Sequence, residues 1–221
     1  MNTLLILAVS AEICVFWRDL GISVLGSAIP MIFVAVWGYL KWYKPYSKFK
    51  EMGVIKIFKN QQEAESDIID SINSSNNIKV YAMRGNTFSV KNRQNDIANA
   101  ATTSTKKNQQ YLISDPDNDF IAIRAEEIST SKSEESLKQG IKDSIRQLEI
   151  ARQANDKIVV RKHKEQIRNR LILLDNYLYL SNLEPGKSSQ ESPILKIEQN
   201  SSFYNAYMKK FDDLWEKYAT P

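Results

Sequence analysis

At 221 residues the chain holds one ordinary domain and an appendage. Its formal charge of +4, with lysines and arginines scattered rather than clustered, neither demands nor excludes a nucleic-acid partner. A single cysteine, Cys14, excludes a disulfide frame and a cysteine-rich metal centre, and a single histidine, His163, argues against most histidine-based metal sites.

Composition changes sharply near residue 43. Ile22 to Trp42 carries no charge before Lys41, and at about 1.5 Å per residue such a run spans a hydrocarbon core of about 30 Å. Trp37, Tyr39 and Trp42 gather toward one end, as an interfacial belt does. The earlier apolar run, Thr3 to Trp17, is short and interrupted by Glu12. A cleaved signal peptide, a first membrane helix and an interfacial helix compete for it. The missing basic leader and the second run close behind disfavour cleavage, so the favoured reading is a transmembrane hairpin turning at Arg18-Asp19-Leu20-Gly21. Glu12 is costly against lipid, which makes it a functional candidate in the membrane; its plainer role is an interfacial carboxylate. Lys41, Lys44, Lys48 and Lys50 place the following flank inside. The expected organisation is a membrane segment over 1–43, a basic linker over 44–52 and a soluble domain over 53–221, at the cytoplasmic membrane and facing the cytoplasm.

The soluble part alternates strand and helix signals. Gly53–Phe58 reads as a strand, and Gln61–Ser75 as a helix with Ala64, Ile68, Ile69 and Ile72 on one face. Ile78–Met83 is the next strand, followed by an Arg84-Gly85-Asn86 turn and a polar, helical stretch through Lys107. Gln109–Ser114 is a third strand, closed by Asp115-Pro116-Asp117-Asn118. A charged helix then runs to about Asn155, broken near Ser129–Ser133. Lys157–Val160 is a fourth strand, and Leu171–Leu174 with Tyr177–Leu180 forms a hairpin about Asp175-Asn176. A polar loop from Glu184 to Ser192, a strand over Ile194–Ile197 and an amphipathic helix over Ser202–Tyr218 complete the chain. This order predicts an α/β fold, a sheet with helices on both faces.

Arg168 and Arg170 share strand parity and so point to one face, where two guanidiniums can hold a phosphate through paired N–H donors. Surface charge is the plainer account. Asp175 suits a hairpin turn as well as a site. Arg84 and Asn86 follow a strand end, where backbone N–H groups meet ligands, but one glycine falls well short of a phosphate loop. Asp115, Asp117 and Asp119 alternate like calcium ligands; without the glycine and closing glutamate they read as a strand-to-helix turn. His163, among Arg161, Lys162 and Lys164 and five residues before Arg168, is a candidate to supply a catalytic histidine; its plainer reading is an exposed residue of a basic loop. No metal or cofactor is expected.

Three strings in this order carry a resemblance: GVIKIFKNQQEAESDIIDSINSSNNIKVYAMRGNTFS, YLISDPDNDFIAIRAEEI, and RNRLILLDNYLYLSN followed by FYNAYMKKFDDLWEKY. Together they resemble one half of a phospholipase D-like fold, over about Gly53 to Tyr218. The resemblance implies that Arg168-x-Arg170-x-x-x-x-Asp175 stands where the family carries H-x-K-x-x-x-x-D. Arg168 then replaces the nucleophilic histidine, Arg170 the phosphate-holding lysine, and Asp175 keeps the acidic place. The usual Gly-Ser is missing, with Ser181-Asn182 nearby. A guanidinium stays protonated and neither attacks phosphorus nor relays a proton. The resemblance thus implies a non-catalytic, membrane-anchored sensor or effector for a nucleotide or other phosphate-bearing ligand, acting as a homo-oligomer. A passive adaptor for a protein partner and a membrane-bound phosphodiesterase are the alternatives.

Overall fold

The structure, a computed structural model, describes residues 36–85, 107–128, 133–188 and 190–219. The chain divides into two compact units, Met1–Phe49 and Lys50–Pro221. A π-helical turn over Tyr39–Tyr43 leads into α1 (Lys44–Glu51), whose last two residues belong to the second unit, so most of the segment read as a linker is helical. No helix among the described residues is long and apolar enough to cross a membrane, which corrects the expected transmembrane hairpin. Hydropathy took no account of the backbone: where the apolar run ends, the helix widens into a π turn and passes into a lysine-bearing helix of eight residues. Glu12, the rest of the first apolar run and residues 22–35 of the second fall outside the described residues.

The second unit is built on β1 (Val54–Phe58), α2 (Gln61–Ser74), β2 (Asn77–Ala82), β3 (Asn108–Ser114), α3 (Phe120–Ile128), α4 (Glu134–Ala154), β4 (Ile158–His163), β5 (Asn169–Leu174), β6 (Tyr177–Asn182), β7 (Ile194–Glu198) and α5 (Ser202–Lys217). The seven strands form one mixed sheet in the order β1-β7-β6-β5-β2-β3-β4. β2, β3 and β4 are parallel, and β5 runs antiparallel to β2 and β6. β7 is antiparallel to both β6 and β1. The carboxyl ends of β1, β2, β3, β4 and β6 therefore share one edge with the amino ends of β5 and β7.

Each face of the sheet is covered. Ala64, Ile68 and Ile72 of α2, Ile121 of α3, and Leu137, Ile141, Ile145 and Leu148 of α4 pack with Ile78, Val80, Tyr111, Ile172 and Tyr179. Tyr204 and Phe211 of α5 pack with Tyr81, Leu112, Leu171, Leu173, Leu178, Leu180 and Ile197 on the other face. Each such side chain contributes about 1.5–3 kcal/mol when fully buried. β5 and β6 are buried on both faces, which is why their sequences read as nearly unbroken apolar runs rather than as alternation.

Local chemistry sets the helix starts. Asn60 Oδ1 caps α2 by accepting from Glu63 N at 3.0 Å, and Glu63 Oε2 accepts from Lys59 N, one residue before the cap, at 2.8 Å. Ser133 caps α4 by accepting from Ser136 N, and Ser201 caps α5 by accepting from Tyr204 N. α2 is pinned to the sheet through polar groups as well. Ser71 Oγ lies 2.7 Å from the Tyr179 hydroxyl, which also bonds Asp67, and Lys196 Nζ reaches Asp67 at 2.6 Å. Burial works to raise the Asp67 pKa, but Lys196, Tyr179 and Lys56 together hold it below its ordinary value.

One sequence expectation shifts. β4 continues to His163 despite its basic composition, because Arg161, Lys162 and His163 pair in register with Leu112, Ile113 and Ser114 of β3. The helix expected between Arg84 and Lys107 falls mostly on residues 86–106, outside the described residues.

Candidate functional site

The shared edge gathers the polar groups that matter. Phe58, Ile194, Ser181 and Arg170 lie side by side across β1, β7, β6 and β5. Arg170 and Ser181 are direct antiparallel partners, so their Cβ atoms sit about 5 Å apart on the face covered by α2, α3 and α4. Arg170 is 6% exposed and Ser181 1%. The Arg170 guanidinium donates from Nη1 to Gln61 Oε1 at 2.7 Å, at the start of α2. That acceptor is neutral, and no carboxylate among the described residues forms an ion pair with Arg170. Burial pushes the Arg170 pKa down to about 10 with no acidic neighbour opposing it. Ser181 Oγ, beside it, is buried without a hydrogen-bond partner. A buried cation and an unused hydroxyl side by side form an anion-seeking pair.

The rim is made by α3 and the loop that follows β6. Arg124, 4% exposed, donates to Glu127 Oε2 at 3.0 Å and to the carbonyls of Glu184 and Lys187 at 3.1 and 2.9 Å, which ties that loop to α3. Gly186 N adds a bond to the Glu127 carbonyl at 2.7 Å. Further along, Gln61 N donates to Gln190 O at 3.0 Å, so the loop also meets the start of α2. The other oxygen of Glu127 accepts from Arg168 Nη1 at 3.1 Å. Arg168 precedes β5, but its carbonyl accepts from Leu183 N at 2.9 Å, so it continues the ladder and keeps the facing of Arg170.

Arg84, just past β2, lies on the same face. Burial lowers its pKa, and its guanidinium rests on α4 at Gly140, where a Cβ would meet Nε at 2.9 Å. Of the residues singled out in the sequence, Arg168, Arg170 and Arg84 thus share one edge and one face. Asn86 lies outside the described residues. Asp175 is at the opposite edge, five residues or about 17 Å along the strand. There its carboxylate accepts from Asn76 N at 2.6 Å and Asn77 Nδ2 at 2.9 Å, tying the β5–β6 turn to the start of β2. That is the turn role its sequence context allowed, and it separates Asp175 from the arginines. A groove of about 420 Å³ near that edge includes Lys79, whose ammonium is already committed to Asp212 at 2.7 Å.

His163 also needs correcting. It is fully buried at the end of β4, on the α5 face, its ring 5.0 Å from that of Tyr81 and 6.1 Å from that of Tyr218. Burial drives its pKa to about 4, against smaller opposing pulls from Glu165, the Ala82 backbone and Asp115. Nδ1 accepts from Glu165 N at 3.1 Å, so the neutral ring carries its proton on Nε2. The sheet separates this imidazole from Arg170. Basic neighbours had suggested exposure, but β4 pairing turns His163 inward. At the β3–α3 turn, Asp115 Oδ1 accepts from Asp117 N at 3.0 Å and Asn118 Oδ1 from Phe120 N at 3.1 Å, as a strand-to-helix turn requires. Among the described residues no cluster of His, Cys, Asp or Glu has the arrangement of a metal site.

Gln61, Arg124 and Glu127 were not visible as site residues in the sequence. Arg124 left one trace, a lone cation in the apolar run Phe120-Ile121-Ala122-Ile123 and Ala125, with Glu127 three residues on.

No family model matches the chain, and no curated protein matches it. Among solved structures it is similar to TrmBL2, an archaeal chromatin protein described as having a novel mode of DNA binding. The two share 14% identity at a TM-score of 0.43, over 88% of this chain and 69% of that one.

Proposed function

We propose that residues 53–218 form a phospholipase D-like domain that holds a phosphate-bearing ligand at Arg170 instead of hydrolysing it. One observation carries this reading: the Arg170 guanidinium is buried at the sheet edge with a neutral partner, Gln61, and a partnerless hydroxyl, Ser181, beside it. A phosphate oxygen supplies the missing negative charge to the first and accepts from the second. The carboxyl ends of parallel strands are also where open α/β sheets characteristically receive ligands. The resemblance is supported by the element order it implies: a motif strand (β5), a hairpin to β6, a late strand (β7) and a C-terminal helix (α5).

Among the described residues no histidine stands at this place to act as the family's nucleophile. Arg168 cannot serve as a nucleophile, and His163 faces the other side of the sheet. Calorimetric titration of the full chain with inorganic phosphate and a nucleotide panel tests the proposal, with Arg170→Met as the control. Binding that disappears in the variant, with no turnover of phosphodiester substrates, supports it. Equal binding by both proteins, or turnover, overturns it.

A further inference from the structure

Glu127 lies between two guanidiniums, with Oε2 on buried Arg124 and Oε1 on Arg168. The two contacts differ in kind. Arg124 is 4% exposed and has two further bonds, to the Glu184 and Lys187 carbonyls, so its position does not depend on Glu127. Arg168 is 58% exposed, and Glu127 is its one side-chain partner among the described residues. An exposed pair of this kind exchanges readily with solvent and with competing anions. Arg168 sits two residues from Arg170 on the same side of the strand, about 6.6 Å along it. Its long side chain spans that distance easily.

We infer that Glu127 is an internal competitor for Arg168. Without ligand its carboxylate holds Arg168 at the rim. A phosphate seated on Arg170 displaces that carboxylate, takes Arg168 as a second clamp, and leaves Glu127 on Arg124 alone. Affinity is thereby set below what the two arginines would give together, and a ligand must offer enough negative charge to win the exchange. This inference rests on the phosphate site proposed above and names its regulation.

The test is titration of the full chain with inorganic phosphate by calorimetry, using unaltered protein, Glu127→Gln, Arg168→Ala and the double variant. Glu127→Gln keeps the shape of the side chain, and Arg124 retains its carbonyl bonds. Phosphate is expected to bind Glu127→Gln about three- to fivefold more tightly, the scale of one exposed ion pair. It should bind Arg168→Ala more weakly than the unaltered chain, and the double variant should gain nothing over Arg168→Ala. Should Glu127→Gln fail to fold, Arg168→Ala still decides: unchanged affinity overturns the clamp. If the unaltered chain binds phosphate through Arg170 but Glu127→Gln binds no better, the competitor role fails and the phosphate site stands. If neither the unaltered chain nor Glu127→Gln binds phosphate, both fall together.

Discussion

Replacing Arg170 by methionine should make the ligand-free protein more stable. The guanidinium stays charged at neutral pH, so the fall of its pKa from 12.5 to about 10 corresponds to an unfavourable burial of about 3 kcal/mol. Methionine keeps much of the apolar stem and removes the charge. Loss of the bond to Gln61 returns about 1 kcal/mol, and imperfect packing of the new thioether takes a little more. The net gain is about 2 kcal/mol, or a rise in Tm of about 4–8 °C for a unit of this size. Urea unfolding in buffer free of phosphate and sulfate reads this directly. A variant less stable than the unaltered chain by more than about 1 kcal/mol would refute the reasoning. Arg170 would then be a structural cation whose bond to Gln61 outweighs its desolvation.

The remaining predictions concern the frame. Burial holds the folded His163 pKa at about 4, against 6.5 when exposed; between those values the unfolded chain takes up a proton that the folded chain refuses. Acidification from pH 6.5 to 4 should therefore remove about 3 kcal/mol of stability, and a pH series on His163→Phe should lack that portion of the slope. Asp175→Ala removes the acceptor for Asn76 N and Asn77 Nδ2; it should cost about 1–2 kcal/mol in urea unfolding while leaving phosphate affinity unchanged. A matching loss of affinity would place Asp175 back in the site. At Gly53, with φ +84°, an added Cβ would lie 2.1 Å from Ser201 Cβ. Gly53→Ala should accordingly lower stability by several kcal/mol, about 3 or more, and an unchanged melting profile would contradict the β1–α5 contact.

Much of the second unit was legible in the sequence because local signals and tertiary demands agree there. Ala64, Ile68 and Ile72 lie on one helical face and are the residues α2 buries. The apolar runs about Asp175-Asn176 form the β5–β6 hairpin that turn chemistry indicates. Legibility failed where pairing or packing decides. The basic string Arg161-Lys162-His163 looks like a loop, yet β3 draws it into the sheet and turns His163 inward. Parity put Arg168 and Arg170 on one face, but only the fold distinguishes the exposed arginine from the buried one. Motif spacing joined Asp175 to the arginines, whereas strand rise carries it to the far edge. Gln61, Ser181 and Glu127 come from distant segments, and only the mixed sheet order brings them to Arg170 and Arg168. Hydropathy also misled in the N-terminal unit, where an apolar run long enough to suggest a membrane span leads instead into a π turn and a polar helix among the described residues.

Thermal unfolding of the full chain across a panel of phosphate-bearing compounds, beside Arg170→Met, tests the central claim most directly. A compound at about a hundred times its dissociation constant should add about 2.7 kcal/mol, a Tm rise of about 5–11 °C, to the unaltered protein and nothing to the variant. A panel that stabilises neither protein, or both equally, would contradict an anion site at Arg170.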